Sequence, residues 1–471
     1  MEPLSAPTSP PADAIPATAD VAAVVAGLRK TFSTGRTRDL EWRLEQLRNI
    51  ERLVAEREQE LAAALAADLG RPPVDAWLGD VAPVAAEARY ARKHLKGWTR
   101  PTRTGLPLSM RPGKAFYRYE PLGTVLVIGP WNYPVYLTLG PLIGAVAAGN
   151  CTVIKPSEHA PAVSAALARL VPEYLDSDAV AVLQGDASAT QALLAQGVDH
   201  AFFTGGPEIG KLVMAAAAPH LTPVTLELGG KSPTVVTRSA DIDVAARRIA
   251  WTKLLNSGQT CVAPDYVLVD AAVRDELVDK VGRSAEQFAG GSLGKLPIVN
   301  RRQYNRLAGL LGDAGGQVAL GGGLDADRGA IEPTIVVDPD VAAPLMTEEI
   351  FGPILPVVTI NSLSEGIDFV VSRPKPLAAY LFSNDKTEQR RFVDEVSAGG
   401  IVINHAAMHV LAPNLPFGGV GTSGMGAYHG RWGFETFSHR KSVLVKPARP
   451  DLKLPYPPYS ARAEKLLRRF F

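Results

Sequence analysis

Thr124-Val-Leu-Val-Ile128 is the stretch that decides the fold class. It is short, apolar and β-branched without alternation, as a strand covered on both faces should be. Similar runs recur at 152–154, 179–183, 200–204 and 234–237, and helical patterns near 137–148, 160–175, 187–197 and 210–220 separate most of them. Alternating strands and helices predict an α/β protein with a mainly parallel, doubly wound sheet, its ligand at the carboxyl ends of the strands.

Outward from that core, residues 39–69 read as a helix. Leu40, Leu44, Leu47, Ile50, Val54, Leu61 and Leu65 form one apolar stripe, and Gly70 and Pro72 follow as a stop. A second helix is expected from 77 to about 95. Residues 101–121 carry Pro112-Gly113 between two extended stretches, which predicts a hairpin whose edges need cover. A second α/β unit begins after about Ser232, with strands near 266–269, 354–359 and 401–404. The expected organisation is a disordered tail at 1–20, one α/β domain at 21–100 and 122–230, and a second at 231–415, with the hairpin at 101–121 and the tail at 440–471 outside both.

Composition excludes several classes. The chain has 471 residues and a formal net charge of +1, so no bulk attraction to nucleic acid or anionic membrane is expected. No apolar run reaches the length of a membrane span; the longest, 138–148, contains Pro141 and Gly144 and reads as a buried helix. Two cysteines argue against a disulfide framework and for a reducing compartment. The first twenty residues hold no Lys or Arg, so neither a secretory nor a mitochondrial signal is read, and the expectation is cytoplasmic. His405 and His409 are four apart without a carboxylate or Cys to complete metal spacing, so no metal site is expected.

The two cysteines differ in setting. Cys151, at the mouth of a strand, reads as a small buried side chain. Cys261 lies in the small, polar stretch Asn256-Ser-Gly-Gln-Thr-Cys-Val-Ala-Pro264, where substrate and backbone amides can approach it.

Five collinear motifs accompany it: Pro130-Trp-Asn-Tyr-Pro134, Leu226-Glu-Leu-Gly-Gly-Lys-Ser-Pro233, Gly258-Gln-Thr-Cys-Val-Ala-Pro264, Glu348-Glu-Ile-Phe-Gly-Pro353 and Pro416-Phe-Gly-Gly-Val-Gly421. In order and spacing they resemble the aldehyde dehydrogenase superfamily. Ser423-Gly-Met-Gly-Ala-Tyr-His-Gly430 and Thr436-Phe-Ser-His-Arg440 look like its class 3, fatty and aromatic aldehyde branch.

The resemblance implies that Cys261 is a nucleophile, whose thiolate nearby amide dipoles or cationic charge must favour. It implies that the Asn132 side chain and the Cys261 N–H hold the alkoxide of the adduct, and that Glu227 is the base that activates water. For the cofactor, NAD or NADP, GxGxxG is absent, and Phe203-Thr-Gly-Gly-Pro-Glu-Ile-Gly-Lys211 takes its place at a strand-to-helix turn. Gly205, Gly206 and Gly210 belong to it, with Gly206 standing where the family commonly has Ser. Lys155 and Glu158 match the residues that hold the adenine ribose; a carboxylate there slightly favours NAD. Trp131 matches a cofactor contact, Glu349 the residue that binds the nicotinamide ribose, and Phe351 the ring packed beside it. The same resemblance makes 21–100 and 122–230 a dinucleotide-binding domain, 231–415 a catalytic domain, and 101–121 with 440–471 an oligomerisation element. Tyr133, Trp251 and Leu255 match substrate-tunnel positions, which implies medium-chain aliphatic or aromatic aldehydes.

The resulting expectation is a homodimeric enzyme that oxidises a small-molecule aldehyde to the acid through a cysteine thiohemiacetal and a hydrolysed thioester, with no nucleic-acid partner. Two alternatives stand beside it: transfer of the acyl group to coenzyme A, and a non-catalytic binding protein on the same fold.

Overall fold

The protein is described from a computed structural model that covers residues 18–291, 296–451 and 456–470. Strand Thr124–Ile128 is central in a six-stranded sheet. The spatial order is Gly424–Met425, Val224–Leu228, His200–Gly205, Thr124–Ile128, Cys151–Lys155 and Val180–Val182. All pairings are parallel except the first, where Gly424–Met425 runs antiparallel at the edge. The strand order reverses between Thr124–Ile128 and His200–Gly205, so the loops leaving their carboxyl ends diverge there and open a crevice.

The absence of alternation in Thr124–Ile128 has a direct cause. Val125 and Val127 enter one core with helices Leu40–Glu56, Ala82–Trp98 and Tyr136–Ala148, while Leu126 and Ile128 enter a second core on the opposite face. Cys151, in register with Thr124, is fully buried in that second core, and burial pushes its thiol up to about 12. Helix Tyr136–Ala148 is buried along its whole length. It crosses helix Gly430–Thr436 so closely that a Cβ on Gly144 would lie 2.9 Å from the Gly433 carbonyl carbon.

The second sheet has seven strands in the order 317–320, 334–337, 354–360, 266–270, 233–236, 378–382 and 400–403, parallel except for the first pair. Only Gly229, Gly230, Lys231 and Ser232 separate its first strand, Pro233–Val236, from the Val224–Leu228 strand of the other sheet. The carboxyl end of one sheet therefore feeds directly into the start of the next. A third, three-stranded antiparallel sheet joins Thr102–Thr104 and Lys114–Pro121 to Ser438–Val445.

Three expectations change. Residues 1–17 of the expected tail lie outside the described residues, but Thr18–Asp20 open a helix, Thr18–Ser33, held by burial of Val21, Val25 and Leu28. The helix expected over 39–69 breaks at Arg57, whose guanidinium bonds Tyr174 and Glu173; the apolar stripe runs on through Leu61, Leu65 and Leu69, so periodicity alone hides the break. The helix expected from 77 is a short helix Pro73–Ala76 and a π-helical turn Trp77–Val81 before Ala82–Trp98. That turn points the fully buried Asp80 inward.

Asn150 ties the sheets together. Its Oδ1 accepts from Gly123 N at 2.9 Å, and its Nδ2 donates to Ala145 O at 3.1 Å and Phe437 O at 2.8 Å. Ala145 O also accepts from Gly149 N and Asn150 N, so replacing Asn150 with Ala takes the partner from Gly123 N and Phe437 O and is expected to cost about 2–6 kcal/mol, at roughly 1–3 kcal/mol for each unsatisfied group. Thermal unfolding of Asn150→Ala checks this, and an unchanged midpoint would contradict it.

Candidate active site

The crevice between the two sheets is one continuous cleft of about 1560 Å³, into which Asn132, Glu227, Cys261 and Glu349 all open. Glu227 reaches it from strand Val224–Leu228, paired on one side with Thr204 and on the other with Gly424. Residues 227 and 261 are brought together because the first sheet ends where the second begins.

Cys261 follows an unusual turn. Asn256, Ser257 and Gly258 all have positive φ (51°, 51° and 74°). For non-glycine residues this conformation persists only when its surroundings enforce it. Here Asn256 Nδ2 donates to Asn132 O (3.1 Å) and Gln259 O (3.2 Å), and Ser257 Oγ donates to Leu296 O (3.0 Å). Position 258 admits only glycine, since a Cβ would sit 2.2 Å from Gly352 O. The turn thus packs directly on the loop that carries Glu349 and Phe351. Asn132 Nδ2 donates one proton to Gln259 O at 3.2 Å, which leaves the other for a ligand.

The electrostatics differ from the expected thiolate-favouring setting. Burial pushes the Cys261 thiol up to about 12, the carboxyls of Glu349 and Glu227 add to the rise, and only the backbone N–H groups of Cys261 and Val262 oppose it. No cation appears among these influences, so the thiol rests protonated with two carboxyls near enough to bear on it. Glu227 is 3% exposed, neither of its oxygens has a partner, and burial alone lifts its carboxyl well above the ordinary range. Glu349 is raised to about 8, by burial first and by Asp265 second.

The cofactor candidates divide by position. Trp131, Lys155, Glu158, Gly205, Gly206, Glu349 and Phe351 line the cleft, whereas Gly210 is buried one turn into helix Pro207–Ala217, where a Cβ would meet Leu228 at 2.8 Å. Gly206 caps that eleven-residue helix, and nothing lies within 4 Å of where its Cβ would be. An open helix N-terminus beside Lys155, whose Nζ bonds Glu158 at 2.9 Å, fits the pyrophosphate and ribose of a dinucleotide. Trp131 and Phe351 meet edge to face at 5.4 Å, and Phe351 has φ 52°. Arg306 donates to the carbonyls of Glu349 and Ile350, while Asp265 accepts from Ile350 N and Lys231, so the Glu349 loop is clamped from behind.

The tunnel candidates Tyr133, Trp251 and Leu255 do not line this cleft. The Tyr133 hydroxyl bonds Thr260 Oγ1 at 2.9 Å, Thr260 reaches Leu255 O at 3.4 Å, and Trp251 meets His405 edge to face. Arg71, Asp80, Lys231, Asp265 and Arg306 were not identified from sequence. They act on groups far away in the chain, and apart from Lys231, which lies within the 226–233 motif, no local pattern marks them.

Comparison with known proteins agrees with this geometry. The aldehyde dehydrogenase family model matches residues 14–443. An aldehyde dehydrogenase of Craterostigma plantagineum is 46% identical over 94% of both chains. The "aldehyde dehydrogenase, dimeric NADP-preferring" of Rattus norvegicus is 45% identical over 92% of this chain and 97% of its own. The solved structure "Substrate bound state of Staphylococcus Aureus AldH" superposes with a TM-score of 0.91 at 42% identity, covering 95% of this chain and 99% of that one. Matched over most of its length by the family model and by these relatives, the chain belongs to the aldehyde dehydrogenase family, enzymes that oxidise aldehydes with NAD or NADP.

Proposed function

We propose that Cys261 attacks the aldehyde, that Asn132 Nδ2 and the Cys261 N–H hold the resulting alkoxide, and that Glu227 activates the water that releases the acid. The observation that carries this reading is the pair of unpartnered Glu227 oxygens facing the same cleft as the thiol. A buried carboxyl with free lone pairs and a raised pKa is suited to take a proton from the thiol or from water. The free Asn132 proton meets the need for a preorganised donor, an interaction typically worth about 2.7–4 kcal/mol in the barrier. A bound nicotinamide dinucleotide supplies the hydride acceptor. Gly206 and the first turn of helix Pro207–Ala217 would hold its pyrophosphate, Lys155 and Glu158 its adenine ribose, and Glu349 its nicotinamide ribose.

Release to water rather than to coenzyme A follows from Glu227, and the acyl-transfer alternative is not favoured. The finer assignments are medium-chain aliphatic or aromatic aldehydes, a slight preference for NAD, a homodimer and a cytoplasmic setting. Support for the first is the half-buried Tyr133 and Leu255, both bonded to Thr260 next to Cys261, with the half-buried Trp251 on the helix that leads to Leu255. For the second it is the Glu158 carboxylate in the cleft, which would repel a 2′-phosphate while Lys155 softens the effect. The largely exposed outer strand Ser438–Val445 offers an edge for a second copy, and the rat relative is named dimeric. Both cysteines are free, as a reducing compartment requires. Among the described residues, no helix is long and apolar enough to cross a membrane.

Three measurements test these assignments. Cys261→Ala should abolish turnover, while Glu227→Gln should keep a burst of reduced cofactor and lose steady-state rate by about 100-fold or more. Equal loss of both phases would remove Glu227 as the deacylating base. The pH profile gives an independent check. Glu227 works as a base only when deprotonated and its pKa is raised, so steady-state activity should fall on acidification at a pH well above the ordinary carboxylate range. That limb should vanish in Glu227→Gln. Finally, absorbance of reduced cofactor with hexanal to dodecanal and benzaldehydes, each with NAD and NADP, should give modestly higher kcat/KM with NAD. A clear preference for NADP would reverse the cofactor assignment.

A further inference from the structure

The loop that carries Asn132 rests on an ion pair lying outside the cleft. Arg71 is 2% exposed and Asp80 fully buried, and one arm of the Arg71 guanidinium bonds the Asp80 carboxylate. Its other arm donates to the backbone carbonyl of Asn132, and its Nε donates to Asn256 Oδ1 at 3.1 Å. The plane of the guanidinium lies over the Tyr133 ring, 4.2 Å from the centroid. Asp80 completes the frame from the other side: its Oδ1 accepts from Val135 N and Tyr136 N, both at 2.9 Å, where helix Tyr136–Ala148 begins.

Residues 132 to 136 are therefore gripped at one carbonyl and two amides by a single charged pair. The same guanidinium reaches the left-handed turn before Cys261 through Asn256, whose amide donates to the same Asn132 carbonyl. Arg71 thus spans the two elements whose relative position sets the distance between the Asn132 amide and the Cys261 sulfur. A planar fork of fixed geometry can serve three acceptors at once, and a desolvated pair holds its partners more rigidly than neutral groups would. A misplacement of about 1 Å in such a constellation can cost on the order of 100-fold in rate. Neither Arg71 nor Asp80 lines the cleft into which Asn132 and Cys261 open.

We propose that Arg71 and Asp80 are positioning residues for the formation and oxidation of the covalent adduct, holding the Asn132 amide where the alkoxide forms. The proposal rests on the oxyanion reading of Asn132 given above. The test uses the full chain with NAD and a reactive aldehyde. It reads the single-turnover burst of NADH, and NAD affinity is measured separately by fluorescence quenching. Four proteins form a cycle: the parent, Arg71→Gln with Asp80→Asn, Asn132→Ala, and all three substitutions together. Replacing both charges avoids a buried carboxylate left without its partner.

The paired substitution should slow the burst by about 30-fold, with NAD affinity within about 3-fold of the parent. In the Asn132→Ala background, the same pair should change the burst by less than about 2-fold, since the group it positions is gone. Arg71→Lys keeps the charge beside Asp80 without the planar fork, and serves in the same cycle if the neutral pair does not fold; its expected loss is about 3-fold, again only when Asn132 is present. An equal fold loss with and without Asn132 would mean that the pair only stabilises the fold and would overturn the proposal, as would a parent-like burst in the paired variant. If Asn132→Ala alone leaves the burst unchanged, the oxyanion reading itself fails.

Discussion

The site depends on a stretch of backbone that would not persist on its own. Two non-glycine residues and Gly258 turn left-handed in succession before Cys261, each non-glycine member costing on the order of 1–3 kcal/mol. Hydrogen bonds from three directions compensate: Asn256 to the Asn132 loop, Ser257 to Leu296 and Gln259 to Val299. Because the Gly258 Cα lies against the Gly352 carbonyl, and Asn256 bonds Asn132, the thiol, the Asn132 loop and the Glu349 loop form one packed unit. None of the three can shift far without the others.

Within that unit, charge is arranged for proton transfer rather than for storage of a thiolate. The carboxyls of Glu227 and Glu349 are held above their ordinary range by burial, and they raise the Cys261 thiol in turn. The low-dielectric setting that makes these groups costly to ionise also makes them strong bases once ionised.

Much of this was legible in the sequence, for physical reasons. Burial on two faces removes alternation, so Thr124–Ile128 and its companions stand out as parallel strands. Asn132, Glu227, Cys261, Glu349 and Phe351 sit in local motifs whose small residues are needed for close approach. What sequence could not show acts across distance. Arg71 reaches residues 132 and 256, and Asp265 reaches residue 350, through single contacts that leave no periodic trace. The break at Arg57 is silent because the apolar stripe keeps phase across it. The backbone amides expected to favour the Cys261 thiolate are present, whereas the opposing influence of Glu227 and Glu349 comes from residues remote in the chain.

The edge strand Gly424–Met425 has a bearing on biosynthesis. It completes the dinucleotide sheet by pairing with Leu226 and Glu227, yet it is made only after the whole seven-stranded sheet has been translated. Strand Ser438–Val445, which closes on Lys114–Pro121, emerges later still. A nascent chain on the ribosome thus carries the Val224–Leu228 strand with an open edge while nearly two hundred further residues, 229–423, are added. A late segment seals each of these two early sheets, so truncation before Gly424 would leave the earliest-made half of the protein exposed to aggregation.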